Sequence, residues 1–202
     1  QGVENAIKQY KETRDPKEKI FQNCFVHFAM SDEKIFMATK LEGWKTRFLP
    51  FNKALDNPEV ENDYKTSYLY NDILQINKLS KLINNFVYIE KEDNNEYPIF
   101  PRYHQLDCTN LLLADAKPSK NYLIEHSAGS GKTKTIAWLS HGLINKFNKL
   151  DNRVYDMVIV ISDRKVIDKQ LQNQVQAIEK VKGIVDVIDE KKSSKDLKEA
   201  MK

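Results

Sequence analysis

The stretch Glu125-His126-Ser127-Ala128-Gly129-Ser130-Gly131-Lys132-Thr133 carries residue types at a spacing that can do chemistry. Two of the chain's six glycines stand at 129 and 131, directly before Lys-Thr. Glycines so placed let backbone N–H groups curl around a polyphosphate, and a helix starting there adds the partial positive charge of its N-terminus. Lys132 would reach the outer phosphates, the Thr133 hydroxyl would ligate Mg²⁺, and Ser127, Ala128, Gly129, Ser130 and Gly131 would line the loop. The pattern is a relaxed P-loop, with His126 where the strict motif has its first glycine. A flexible turn that happens to precede a lysine is the plain alternative, and the flanking segments argue against it.

Those flanking segments must position the loop. Asn121 to Ile124 is strand-like, and Ile136, Leu139, Leu143, Ile144 and Phe147 give helical spacing after the loop. Met157 to Ile161 is a continuous apolar run, as a buried parallel strand would be. Arg164 to Glu179 reads as a helix and Ile184 to Ile188 as one more strand. This alternation predicts a parallel α/β sheet.

Two further groups lie near in sequence. In Phe100-Pro101-Arg102-Tyr103-His104-Gln105 the Gln105 amide offers a donor and an acceptor, which suits an adenine edge, while a surface helix turn would carry the same residues without a ligand. In Ile161-Ser162-Asp163-Arg164-Lys165 a polar loop leaves the end of a strand, the ligand side of an open α/β sheet. Arg164 and Lys165 there fit nucleic-acid phosphates, and equally fit solvated cations on a helix capped by Ser162 or Asp163.

Upstream, Val3, Ala6, Ile7 and Tyr10 predict a short amphipathic helix that ends at Asp15-Pro16. Cys24 to Ala29 and Lys34 to Thr39 read as a β-hairpin, with His27 a packed strand residue. Residues 41–52 fit an edge strand or ordered loop, and 52–65, polar and aperiodic, a linker. Tyr68, Leu69, Ile73, Ile76, Leu79, Leu82, Ile83 and Phe86 form one helical stripe. Glu90 to Tyr97 is charged and marks a second boundary, after which a helix runs from about Pro101 to Ala116.

Composition sets wide limits. A chain of 202 residues, 41% apolar and 30% charged, is ordinary for a soluble protein of one or two domains. Net charge is +3 and the pI about 8.6, too mild to establish a nucleic-acid partner. No apolar run is long enough for a membrane span, so no membrane partner is expected, and Cys24 and Cys108 lack metal-ligand spacing. A cytoplasmic location is the expectation. The chain starts at Gln1 and stops at Lys202 within a helix-like run, and so reads as an excerpt.

Taken together, PRYHQLD at 101–107, HSAGSGKT at 126–133, IAWLSH at 136–141 and VIVISDRKVIDKQL at 158–171 resemble the motor subunit, R, of type I restriction enzymes. The resemblance extends through NAIKQYKETRDP at 5–16, VHFAM at 26–30, KTRFLPFN at 45–52 and KTSYLY at 65–70. It implies a superfamily 2 DNA translocase, a type I site-specific deoxyribonuclease in its intact form. The implied parts are a restriction-endonuclease-like domain followed by two RecA-like motor domains. ATP and Mg²⁺ are the implied cofactors, and double-stranded DNA with modification and specificity subunits the implied partners.

On that resemblance, residues 1–52 are the tail of an α+β nuclease-like domain, 53–98 a linker and connecting helix, and 99–202 the N-terminal part of a RecA-like ATPase domain with a partial parallel sheet. Arg102 and Gln105 would contact the nucleotide, Gln105 at adenine. Ser127 to Thr133 would hold phosphates and Mg²⁺, with Lys132 and Thr133 catalytic, and Arg164 and Lys165 would meet DNA. Tyr10 stands where a QxxxY nuclease element has its tyrosine, with Ala6 in place of the glutamine. The nuclease carboxylates and the acidic Mg²⁺ box are expected outside the chain, although Ile188-Asp189-Glu190 offers a superficial acidic pair. The competing function is a nucleotide-binding interaction module without turnover. A small-molecule kinase is disfavoured by the single arginine, Arg153, between the P-loop helix and the next strand.

Overall fold

A computed structural model describes residues 2–92, 95–163, 165–179, 184–188 and 192–201. The chain divides into two compact units, Gln1–Asp107 and Cys108–Lys202. Each has its own construction.

The first unit begins with helix α1 (Val3–Glu12), followed by one turn, α2 (Lys19–Gln22). Strands β1 (His27–Met30) and β2 (Ile35–Ala38) then pair antiparallel, Met30 opposite Ile35 and His27 opposite Ala38. Ser31 makes this hairpin tight. Its N–H donates to Lys34 O at 2.9 Å, and its Oγ accepts from the N–H groups of Glu33 and Lys34. β3 (Leu49–Pro50) lies at the edge against β2, the position a proline tolerates because it has no N–H to donate. The predicted helix and hairpin are present, and of the two readings for residues 41–52 an edge strand forms at Leu49–Pro50.

The aperiodic stretch that follows is folded onto the hairpin. Asn57 is buried, accepts from Lys53 N at 2.8 Å and donates to Glu33 O at 2.8 Å. Thr66 Oγ1 donates to Ser31 O at 2.7 Å, and Tyr68 Oη to Phe51 O at 2.6 Å. Fully buried Phe51 is ringed by Phe28, Phe100 and Tyr103 with centroids 5.2, 6.2 and 5.7 Å away.

The single helix predicted over 68–86 is interrupted. A π turn over Leu69–Ile73 precedes α3 (Ile76–Phe86), with Leu74 and Gln75 between them. Asp63 fastens the π turn, accepting from Tyr70 Oη at 2.8 Å and Asn71 Nδ2 at 2.9 Å. The charged stretch forms a hairpin, β4 (Tyr88–Glu92) with β5 (Asn95–Ile99). Helix α4 (Tyr103–Asp115) starts just after Pro101, as expected.

The second unit is helical in its regular parts: the rest of α4, then α5 (Lys132–Ile144), α6 (Lys165–Ile178) and α7 (Ser194–Ala200). The expected partial parallel sheet is not seen among the described residues. Residues 121–124, 157–161 and 184–188 carry no strand pairing, and both sheets among the described residues are antiparallel and lie within 27–99. A parallel strand has no hairpin partner and acquires its ladder only from strands brought alongside by crossovers. With no such neighbour, Leu123 is 95% and Ile161 88% exposed. The fold is therefore mixed α/β with two small antiparallel sheets. No helix among the described residues is long and apolar enough to cross a membrane.

Candidate nucleotide-binding site

The glycine loop and α5 form the site. Gly129 has φ +74° and Gly131 φ +85°, both in the left-handed region that a Cβ disfavours. Gly131 is also the N-cap of α5, and no side chain caps that helix. Lys134 N and Thr135 N turn back onto Gly131 O at 3.1 and 3.3 Å, so the helix begins at the loop and brings the partial positive charge of its N-terminus there.

Lys132, the first residue of α5, turns back over the loop. Its Nζ donates to His126 O at 2.7 Å and Ser127 O at 2.9 Å. The ammonium therefore spans the loop that a polyphosphate would fill. Thr133 follows one position into the helix and is half-buried; Ser127, Ala128 and Gly129 are exposed.

The helix is held from behind. Thr135, Ala137 and Trp138 are buried, and Gly142 lets α4 approach: a Cβ there would lie 2.6 Å from Leu113 Cδ1. Lys146 Nζ donates to Leu113 O at 2.6 Å and Ala116 O at 2.8 Å, placing a cation on the carbonyls that end α4. Lys134 Nζ reaches Gln174 Oε1 at 2.8 Å and His141 Nε2 lies 2.8 Å from Val175 O, tying α5 to α6. Sequence reading missed these three residues. The contacts bridge 30 to 40 positions, and no local pattern announces them.

The other candidates are distributed differently. Gln105 belongs to the first unit, where it is buried and its Oε1 accepts from Arg102 N at 2.9 Å, closing the start of α4. Arg102 is half-buried there, and burial followed by the nearby Arg47 charge holds its pKa below the ordinary guanidinium range. Lys165 opens α6, while Arg164 and the Asp189-Glu190 pair lie outside the described residues. Tyr10 sits in an aromatic cluster with Phe21, His27 and Phe48, and its hydroxyl donates to Phe28 O at 3.4 Å. His27 is packed as expected, and burial lowers its pKa. No group of histidine, cysteine and carboxylate residues suited to a metal occurs among the described residues.

Two left-handed glycines thus lead directly into a helix that begins Lys-Thr. The chain belongs to the family described as type III restriction enzyme, res subunit, whose model matches residues 98–201. It is also similar to a protein of Methanocaldococcus jannaschii named as a candidate type I restriction enzyme MjaVIIIP endonuclease subunit. Identity there is 27% over 232 aligned positions, covering 97% of this chain and 20% of the relative. The chain thus spans about a fifth of that curated relative's length. No solved structure matches it.

Proposed function

We propose that the chain is part of the ATP-dependent motor and nuclease subunit of a type I restriction system, covering the end of the nuclease domain and the start of a RecA-like motor domain. The observation that carries the reading is the loop at 126–133: two left-handed glycines, an uncapped helix start and a lysine lying across the loop. The donor set fits a nucleoside triphosphate with Mg²⁺. At Gly129 nothing beyond its two chain neighbours lies within 4 Å of where a Cβ would stand, so that side of the loop is open.

In this reading the N–H groups of Gly129 to Thr133 bind phosphate oxygens. Lys132 exchanges its two carbonyl contacts for the outer phosphates, and the Thr133 hydroxyl is offered to the cation. Bound ATP with Mg²⁺ supplies the free energy of phosphoryl transfer. The residues contribute position and charge, which is most of what this chemistry asks of a protein. Arg102 and Gln105 are assigned to the nucleotide, Gln105 to adenine, and Arg164 with Lys165 to double-stranded DNA. In the complete protein, hydrolysis would drive DNA translocation before cleavage, together with modification and specificity subunits. Residues 1–52, 53–98 and 99–202 keep their expected roles as nuclease tail, connector and motor start.

The test is ATP hydrolysis by the complete parent protein, with and without duplex DNA, beside its Lys132→Ala variant. Loss of a preorganised cation at the reacting charge lowers turnover by roughly 10²- to 10³-fold. DNA stimulation in the parent and silence in the variant support the motor. Hydrolysis indifferent to both DNA and Lys132 would give the site to the interaction module.

A further inference from the structure

The chain's two tryptophans sit in opposite environments. Trp138 is 2% exposed in the body of α5, whereas Trp44 is 70% exposed on a turn of the first unit. Trp and Arg are among the residue types that dominate binding hot spots.

The turn holding Trp44 is braced. Gly43 has φ +58°, Lys45 N donates to Glu42 O at 3.3 Å and Thr46 N to Gly43 O at 3.0 Å. Buried Thr46 accepts from Glu42 N at 2.8 Å through its Oγ1, so the turn is pinned from below. Trp44 is therefore presented on an ordered support rather than a loose loop.

Cations outnumber carboxylates along this turn: Lys40, Lys45 and Arg47 against Glu42. The nearby carboxylate, Glu42, is taken by Lys40 at 3.0 Å. Lys45 and Arg47 are exposed and have no ion pair among the described residues. A protein hot spot would surround its tryptophan with apolar contacts that exclude water, but here the neighbours in the turn, Glu42, Lys45 and Arg47, are charged and exposed. A ring flanked by unpaired cations matches alternating bases and phosphates.

We propose that the turn at 42–47 is a nucleic-acid contact in which Trp44 stacks on an unpaired base while Lys45 and Arg47 hold the adjoining phosphates. Such a contact would engage a strand locally released from the duplex. It rests on the DNA-acting reading above, and adds to it a surface remote in sequence from the P-loop.

The experiment measures binding of a short labelled single-stranded oligonucleotide, and of the same sequence as duplex, by anisotropy and by quenching of tryptophan emission. Trp138 is buried, so quenching reports Trp44. Single strand should bind more tightly than duplex and quench the emission. Trp44→Ala should weaken binding about tenfold, with Trp44→Phe retaining most of it, because stacking needs only a ring. Lys45→Ala and Arg47→Ala should each reduce the slope of log affinity against log salt by roughly 0.7. Unchanged melting of these surface variants separates the effect from unfolding. Oligonucleotide binding that is indifferent to all of these substitutions overturns the contact and leaves the DNA-acting reading in place. Quenching by ATP but not by oligonucleotide assigns the surface to nucleotide and overturns the contact too. Absence of any DNA binding removes both.

Discussion

The two units handle apolar sequence in opposite ways. In the first, antiparallel strands joined by a four-residue connection bring Ala29, Ile35 and Phe51 to complete burial. In the second, the most apolar runs are the exposed ones, Leu123 to Ile124 and Met157 to Ile161, while burial is confined to helix contacts such as Ala137, Trp138 and Leu171. A hairpin closes with residues already adjacent in the chain; a parallel ladder requires separate strands to be delivered side by side. Local closure is what distinguishes the unit that buries its strands from the one that leaves apolar segments exposed.

The largest test of this contrast is Phe51→Ala. Its ring fills the contact among Phe28, Phe100 and Tyr103, and removing it should destabilise the first unit by about 3–5 kcal/mol in denaturant unfolding. A loss below about 1 kcal/mol would mean that the aromatic core is not what holds this unit.

Next is Lys146→Met in the second unit, which keeps the aliphatic stem but takes the cation from Leu113 O and Ala116 O. A loss of about 1–2 kcal/mol is expected, read as increased hydrogen exchange at the end of α4. Tyr68→Phe should cost the first unit about 1–2 kcal/mol, since Phe51 O loses a buried donor.

Acid should also separate the units. Burial depresses the pKa of His27 below its ordinary 6.5, so the unfolded chain binds the proton more readily than the folded one. The stability associated with neutral His27 is complete above about pH 6.5 and falls as pH drops from there toward the lower folded value. A His27→Gln variant should show a flatter acid slope in thermal melting; an identical slope would remove His27 as the cause.

The smallest effect is expected at Ile161→Lys. An exposed, unpaired position should tolerate it within about 0.5 kcal/mol. A loss of several kcal/mol would show that the run at 157–161 is buried in solution, and the contrast between the units would collapse.

Much of this was legible because it is local. Apolar spacing at Val3, Ala6, Ile7 and Tyr10 is α1, the two runs flanking Ser31 are β1 and β2, and Gly129 and Gly131 before Lys-Thr mark the start of α5. Period failed where polar contacts act instead. Residues 53–65 have no pattern, yet Asn57 anchors them by bonding a carbonyl 24 positions away. The stripe from Tyr68 to Phe86 looked continuous, but Asp63 draws Tyr70 and Asn71 toward itself and the helix breaks at Leu74 and Gln75. The run Met157 to Ile161 is as apolar as any buried strand, and apolarity alone carries no record of whether a neighbour is present.

Sequence was therefore sufficient for the glycine loop and the helix that follows it, since glycine's access to positive φ and the helix start are properties of residues in contact along the chain. Tertiary structure decided the resting place of Lys132 on two carbonyls, the cation of Lys146 at the end of α4, and which tryptophan is buried. Each of these depends on atoms brought together by folding, where distance in space and access to water set the energy and position in the chain does not.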